Sequence, residues 1–218
     1  MWTEKMCSCM KRTAAGRGIP ALNALSPLSL SSFDTFSLDY YGEAPLKAGG
    51  IPPKKRMEDI YRYCKNYAAN FDPQLSPSLL MQGATGLGKT HLSLAIARAA
   101  IGKGFGVIYC SAPNIIGKLE KERFRSARGS ADESDVYLLE CDLLILDDLG
   151  TEFPTSFSSS TIYNMINSRL MASRPTIIST NLTHAGVRKA VQPASGFPNY
   201  GNHVPPGISR QRRPPKSA

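Results

Sequence analysis

One octapeptide constrains this chain more than any other feature. GATGLGKT at residues 83–90 satisfies the pattern G-x-x-x-x-G-K-[ST] in full. It follows a short apolar run, SLLMQG at 78–83, and precedes a segment with apolar residues at 92, 95, 96, 99 and 100 that stops at Gly102. The spacing therefore predicts a strand, a glycine-rich loop and a helix, the context in which this motif cradles phosphate. Gly83, Gly86 and Gly88 lack Cβ, so the loop can wrap an anion with its N–H groups inward, and the helix start adds a partial positive charge. The candidate ATP-binding residues are Gly83, Ala84, Thr85, Gly86, Leu87, Gly88, Lys89, Thr90 and His91. Lys89 is placed to neutralise the β and γ phosphates, and the Thr90 hydroxyl to ligate Mg²⁺.

A hard cation needs a carboxylate nearby, and CDLLILDDLG at 141–150 supplies one. This run is apolar on both faces and ends in two acids, as a central parallel strand does. Asp147 is the expected metal-side acid. Asp148, next along the strand, is expected to point away from it and to orient or deprotonate an attacking water. PTIISTN at 175–181 reads as a further strand, whose Asn181 would hold the γ-phosphate or the water, or else serve as a turn or helix cap.

Strands at 78–83, 106–111, 141–150 and 175–181 alternate with helical patterns at 89–101, 113–128 and 157–172, with 128–134 as a loop. Alternation of this kind implies an α/β fold with a parallel sheet and ligands at the carboxyl ends of its strands. Upstream, Met57, Ile60, Tyr61, Cys64, Tyr67, Ala68 and Phe71 form one helical stripe. FDTFSLDYY at 33–41 carries four aromatic rings, expected to dock a leader.

The formal charge of +9 suggests a nucleic-acid partner at first, but its distribution argues otherwise. Glu152 is the last acidic residue and eight of the 26 basic residues follow it, so the segment bearing the motifs is near neutral. Residues 184–218, rich in Pro and Gly and without a regular apolar period, are expected to be disordered. No apolar run reaches the length of a membrane span, the N-terminus lacks a continuous apolar segment of the secretory kind, and five scattered cysteines fit a reducing cytoplasm.

GATGLGKTHLSLAIA, CDLLILDDLGTE, IYNMINSRL and PTIISTN together resemble the DnaC/DnaI-type replicative helicase loaders and the IstB-like transposition ATPases, a branch of the AAA+ ATPases. The resemblance covers about residues 33–183. It implies a three-layer P-loop fold with helices on both faces of the sheet, residues 83–90 as Walker A, Asp147 and Asp148 as Walker B, and Asn181 as sensor 1. Catalytic roles would fall to Lys89, Asp148 and Asn181. It also implies ATP and Mg²⁺ as cofactors, and a replicative DNA helicase and single-stranded DNA as partners. Homo-oligomers would supply an arginine from a neighbouring subunit, with Arg169 and Arg174 as the candidates in this chain.

Two departures stand out. Cys7-Ser-Cys9 resembles only the last ligand pair of the loaders' zinc module, and two thiols cannot close a tetrahedral site. Past residue 183 the sequence departs from the family, so the fold is expected to be truncated on its C-terminal side, by an altered reading frame or gene end. The expected organisation is a leader at 1–50, an ATPase domain at 51–183 and a basic tail at 184–218. Its expected function is nucleotide binding that controls assembly on helicase and single-stranded DNA, with weak or absent turnover. The alternatives are a transposition helper and a non-catalytic adaptor that uses ATP structurally.

Overall fold

The computed structural model describes residues 31–46, 49–126 and 133–191. Cys7, Cys9 and the basic tail beyond residue 191 lie outside the described residues. The first α-helix among the described residues, α1 (Pro53–Ala69), begins earlier than its apolar stripe because proline suits the first helical turn, where its missing N–H has no partner to lose. Four strands follow: β1 (Leu79–Gln82), β2 (Val107–Ser111), β3 (Leu143–Leu149) and β4 (Thr176–Thr180). They alternate with α2 (Lys89–Gly102), α3 (Ala112–Ser126), α4 (Glu133–Glu140) and α5 (Ser156–Met171), and α6 (His184–Val191) comes last.

All pairings are parallel, in the order β1-β4-β3-β2. Successive strand side chains alternate between two cores. Leu79, Met81, Val107, Tyr109, Leu143, Ile145 and Ile177 pack with α1 and α2 on one face. Ile108, Cys110, Leu144, Leu146 and Ile178 pack with α3, α4, α5 and Val187 of α6 on the other. The architecture is therefore the expected three-layer α/β sandwich. Cys64, Cys110 and Cys141 are buried free thiols, and burial pushes Cys64 and Cys110 up to about 12.

Three expectations change. The leader, expected to be irregular through residue 50, folds in part, with 3-10 turns at Phe33–Thr35 and Leu38–Tyr40, and its rings dock on the core as expected. Tyr41 is buried, Phe33, Phe36 and Leu38 pack on the α1/α2 cluster, and Tyr61 donates a hydrogen bond to the Phe33 carbonyl. Disorder from about residue 184 is replaced, as far as residue 191, by α6. Thr183 caps it, its hydroxyl oxygen accepting from Gly186 N, and Val187 is buried.

The third change is α4, which begins inside the expected loop. It is short, and its C-terminal carbonyls are held from elsewhere. The wholly buried Arg169 of α5 donates to the carbonyls of Leu138, Leu139, Cys141 and Pro175, to Thr176 Oγ1 and to Cys141 Sγ. A cation at a helix C-terminus completes carbonyls the helix itself leaves unpaired. Arg174 reaches the Glu140 and Cys141 carbonyls beside it. Both arginines thus sit at the amino end of β4. Arg169, wholly buried and engaged with these carbonyls, cannot reach a neighbouring subunit and is withdrawn as a candidate for the arginine supplied there.

Candidate functional site

From β1 the chain turns to α2 on one face of the sheet, and from the neighbouring β4 it turns to α6 on the other. Adjacent strands whose continuations diverge leave a crevice beyond their carboxyl ends. Residues 83–90 line that crevice. Gly83 N donates to the Thr180 carbonyl at 3.1 Å, tying the loop to β4. Gly88 has φ of +84°, and a Cβ there would stand 2.8 Å from the Phe36 ring and 3.0 Å from the Tyr41 hydroxyl. A side chain at that position would meet both backbone strain and the leader.

The motif residues converge around the loop. Lys89 Nζ donates to the Gly83 and Ala84 carbonyls at 2.8 and 3.0 Å and to Asn181 Oδ1 at 2.6 Å. Asn181 Nδ2 donates to Thr85 Oγ1 at 3.1 Å, so the end of β4 is tied to the loop at two points. Partial burial lowers the Lys89 pKa, while the charges of Asp148 and Asp147 oppose the shift. Thr90 Oγ1 donates to Asp147 Oδ2 at 2.9 Å.

Asp147 is 2 % exposed, and two further hydroxyls donate to it: Tyr109 to Oδ2 and Ser179 to Oδ1. Burial pushes the Tyr109 phenol up, and its bond to Asp147 adds to the shift, so the hydroxyl remains a donor. Asp148 departs from regular strand geometry. Its φ is +55°, the β3–β4 register shifts between Leu146 and Leu149, and its N–H donates to Ser179 Oγ at 3.1 Å. This irregularity puts Asp148 on the wall of the crevice, where burial and the Asp147 charge raise its pKa against the opposing charge of Lys89.

The crevice has a volume of about 340 Å³. One wall is Thr85, Gly86, Gly88, Lys89 and Thr90 with Asp148 and Asn181, and the other is the leader, through Thr35, Phe36, Ser37, Tyr40 and Tyr41. His91 joins the two walls. Its Nε2 lies 2.8 Å from the Ser32 carbonyl and 3.2 Å from Thr35 Oγ1, and its ring meets Phe36 edge-on at 5.3 Å. A carbonyl can only accept, so Nε2 carries the proton. The Tyr41 hydroxyl donates to the Leu87 carbonyl at 3.1 Å. Thr90 and Asp148 present oxygen atoms to the crevice, with Asp147 behind Thr90 and bonded to its hydroxyl.

Sequence reasoning missed the leader wall and the hydroxyls of Tyr109 and Ser179. A signal existed for the hydroxyls: each follows apolar residues near the carboxyl end of a strand flanking β3.

The family profile described as IstB-like ATP binding protein matches residues 74–194, more than half of the chain. This chain belongs to the IstB-like ATP-binding family. Among curated proteins it is 27% identical to the replicative helicase loader DnaC of Escherichia coli over 117 residues, 54% of this chain and 47% of that protein. It is 31% identical to an ATP-binding protein of insertion sequence IS1162 from Pseudomonas fluorescens over 105 residues, 48% of this chain and 44% of that one. The chain thus spans about half the length of the curated relatives it matches. Among solved structures, the DnaC helicase loader superposes with a TM-score of 0.56 at 25% identity, covering 76% of this chain and 85% of that one. DnaI superposes with a TM-score of 0.56 at 19% identity, covering 75% and 79%. The IstB-like chain thus has the AAA+ P-loop fold.

Proposed function

We propose that this chain is an ATP-binding module of the helicase-loader type, whose bound nucleotide governs assembly with a replicative DNA helicase and single-stranded DNA in the cytoplasm. The observation that carries the reading is the convergence of Lys89, Thr90, Asp148 and Asn181 at one crevice, with Asp147 bonded to Thr90 behind it, from three separate parts of the sequence. Lys89 has an ammonium held by three exchangeable acceptors, which phosphate oxygens would replace with stronger charge-assisted bonds. The backbone N–H groups of residues 83–90 cradle the phosphates, and the aromatic leader wall takes the base.

The donor set fits Mg²⁺, since it offers a hydroxyl and carboxylates and leaves the remaining positions to phosphate and water. Thr90 and Asp147 would hold the ion, which when bound neutralises phosphate charge. Asp148 orients the attacking water and accepts its proton, and Asn181 holds the γ-phosphate. Turnover is slow. Lys89 is the lining residue with a fixed positive charge, and Arg169 and Arg174 are engaged at the opposite end of the sheet, so charge stabilisation in transfer awaits an arginine from a neighbouring subunit.

The loader reading is favoured over a transposition helper by the breadth of the likeness, which extends over 76% of the chain for the DnaC structure. Binding of a fluorescent ATP analogue, abolished by Lys89→Ala, is the expected result, and binding unaffected by that change defeats the site. Capture of purified helicase that depends on ATP supports the loader role, and nucleotide-independent capture argues for an adaptor.

A further inference from the structure

The Asp147 carboxyl is buried inside the fold and takes part in none of the ion pairs found among the described residues. Its oxygens are met by hydroxyls. Thr90 and Tyr109 donate to Oδ2 and Ser179 donates to Oδ1, from α2, β2 and β4 respectively. A carboxylate offers about four lone-pair positions, so three engaged donors fix its rotation and leave one direction, on Oδ1, open. A lysine or arginine in place of these hydroxyls would hold the group equally well but cancel its charge. Hydroxyls orient it and leave the charge available to a cation.

We propose that Tyr109 and Ser179 are positioning residues that aim Asp147 at the divalent cation bound with the nucleotide. The inference rests on the ATP-binding reading above. Thr90 belongs to the phosphate loop, so its bond to Asp147 would rearrange whenever its hydroxyl turns to a metal. Tyr109 and Ser179 lie outside that loop, on β2 and β4. The buried Tyr109 ring belongs to the α1/α2 core, and the Ser179 Oγ also accepts the Asp148 N–H, which links both acids to one strand. Groups that orient metal ligands from behind govern metal affinity by roughly 10- to 100-fold.

The competing explanation is that the two hydroxyls merely satisfy a buried carboxylate. The two roles separate in one experiment: titration of fluorescent ADP into the full chain with Mg²⁺ and with EDTA, for wild type, Tyr109→Phe, Ser179→Ala and Lys89→Ala, alongside melting curves. Phenylalanine keeps the ring, and the serine variant tests the idea even where the tyrosine variant melts early. The expected result is that either variant loses about tenfold of the affinity gained from Mg²⁺, while affinity in EDTA stays within about twofold of wild type. Direct Mn²⁺ binding followed by its EPR signal should weaken in parallel. Wild-type Mg²⁺ dependence in both variants, or an equal fall with and without metal, overturns the positioning role and leaves the nucleotide site standing. A wild-type chain whose ADP binding is absent or indifferent to Lys89→Ala defeats both readings, and ADP binding that Lys89→Ala removes but Mg²⁺ does not strengthen defeats this one alone.

Discussion

Replacing Arg169 by methionine tests whether this side chain works at the base of the sheet or at the nucleotide. The guanidinium is wholly buried and donates to four carbonyls, the Thr176 hydroxyl and the Cys141 sulfur. Two of those carbonyls keep another donor without it: Pro175 accepts from Leu144 N, and Cys141 from Arg174. The Leu139 carbonyl, at the end of α4, loses its donor, and the Leu138 carbonyl keeps only the weak one from the Cys141 thiol. Stranding one acceptor and weakening the second costs about 2–5 kcal/mol. Removing a buried charge that burial already disfavours returns part of this, on the order of 1–2 kcal/mol, and methionine fills most of the volume. The net loss is therefore about 2–4 kcal/mol, read as a lower urea midpoint with an unchanged slope. A melting temperature lower by roughly 5–15 °C should accompany it. Thr176 and Asn181 stand about 17 Å apart along β4 at the usual strand rise, so ATP-analogue affinity of the folded protein should stay within about twofold. A loss below about 0.5 kcal/mol refutes the account of the network, and a tenfold fall in affinity with little loss of stability returns Arg169 to the nucleotide.

Gly150 has φ of +96°, and a Cβ there would lie 2.5 Å from Leu182 Cγ. Gly150→Ala should destabilise by about 2–4 kcal/mol through backbone strain and overpacking, and Leu182→Ala in the same chain should recover the steric part in a double-mutant cycle. Additive losses would show that the two residues do not press on each other. Asp148 has its pKa raised by burial and by Asp147, so its ionisation works against the folded state: the favourable contribution is complete below the unfolded pKa of about 3.9 and is lost as pH rises through the folded value. Asp148→Asn should therefore stabilise the protein at pH 7, by a few tenths to about 1 kcal/mol after solvent screening, with the gain fading as pH falls toward that unfolded value; asparagine also tolerates positive φ. Turnover should fall in the same variant, and chemical denaturation across pH together with phosphate release checks both.

Period and punctuation made most of the sheet legible beforehand. The runs around Leu79, Ile108, Leu144 and Ile178 are apolar on both sides, as strands covered by helices must be, and those around Leu79, Leu144 and Ile178 end at motif residues. The loop, Lys89, Thr90 and Asp147 were legible for a different reason: their spacing reflects phosphate and metal chemistry, which leaves few alternatives. Tertiary effects hid the rest. The eight-residue α4 buries Leu138 and depends on a side chain from α5, which no local pattern in ESDVYLLE announces. Helix α6 did have a local signal, Thr183 ahead of HAGVRKAV, but the basic, proline-rich sequence beyond it outweighed that cue. The aromatic leader was expected to dock, and the α1 stripe to receive it. That it would dock beside Gly88 and form half of the crevice depends on His91 and Tyr41 reaching across the fold.

The strand order also bears on how the site comes into being. Thr90 and Asp147 are 57 residues apart in sequence, and Lys89 and Asn181 are 92 apart. β4, the last strand, inserts between β1 and β3, so the groups meet only when that strand is seated. A nascent or partly unfolded chain owns the octapeptide without owning the pocket. Nucleotide at 100 times its dissociation constant would then add about 2.7 kcal/mol to the folded state alone, and hydrogen exchange in β4 should slow by the matching factor of about a hundred. For this sheet, ligand affinity and the seating of one central strand are two readings of the same event.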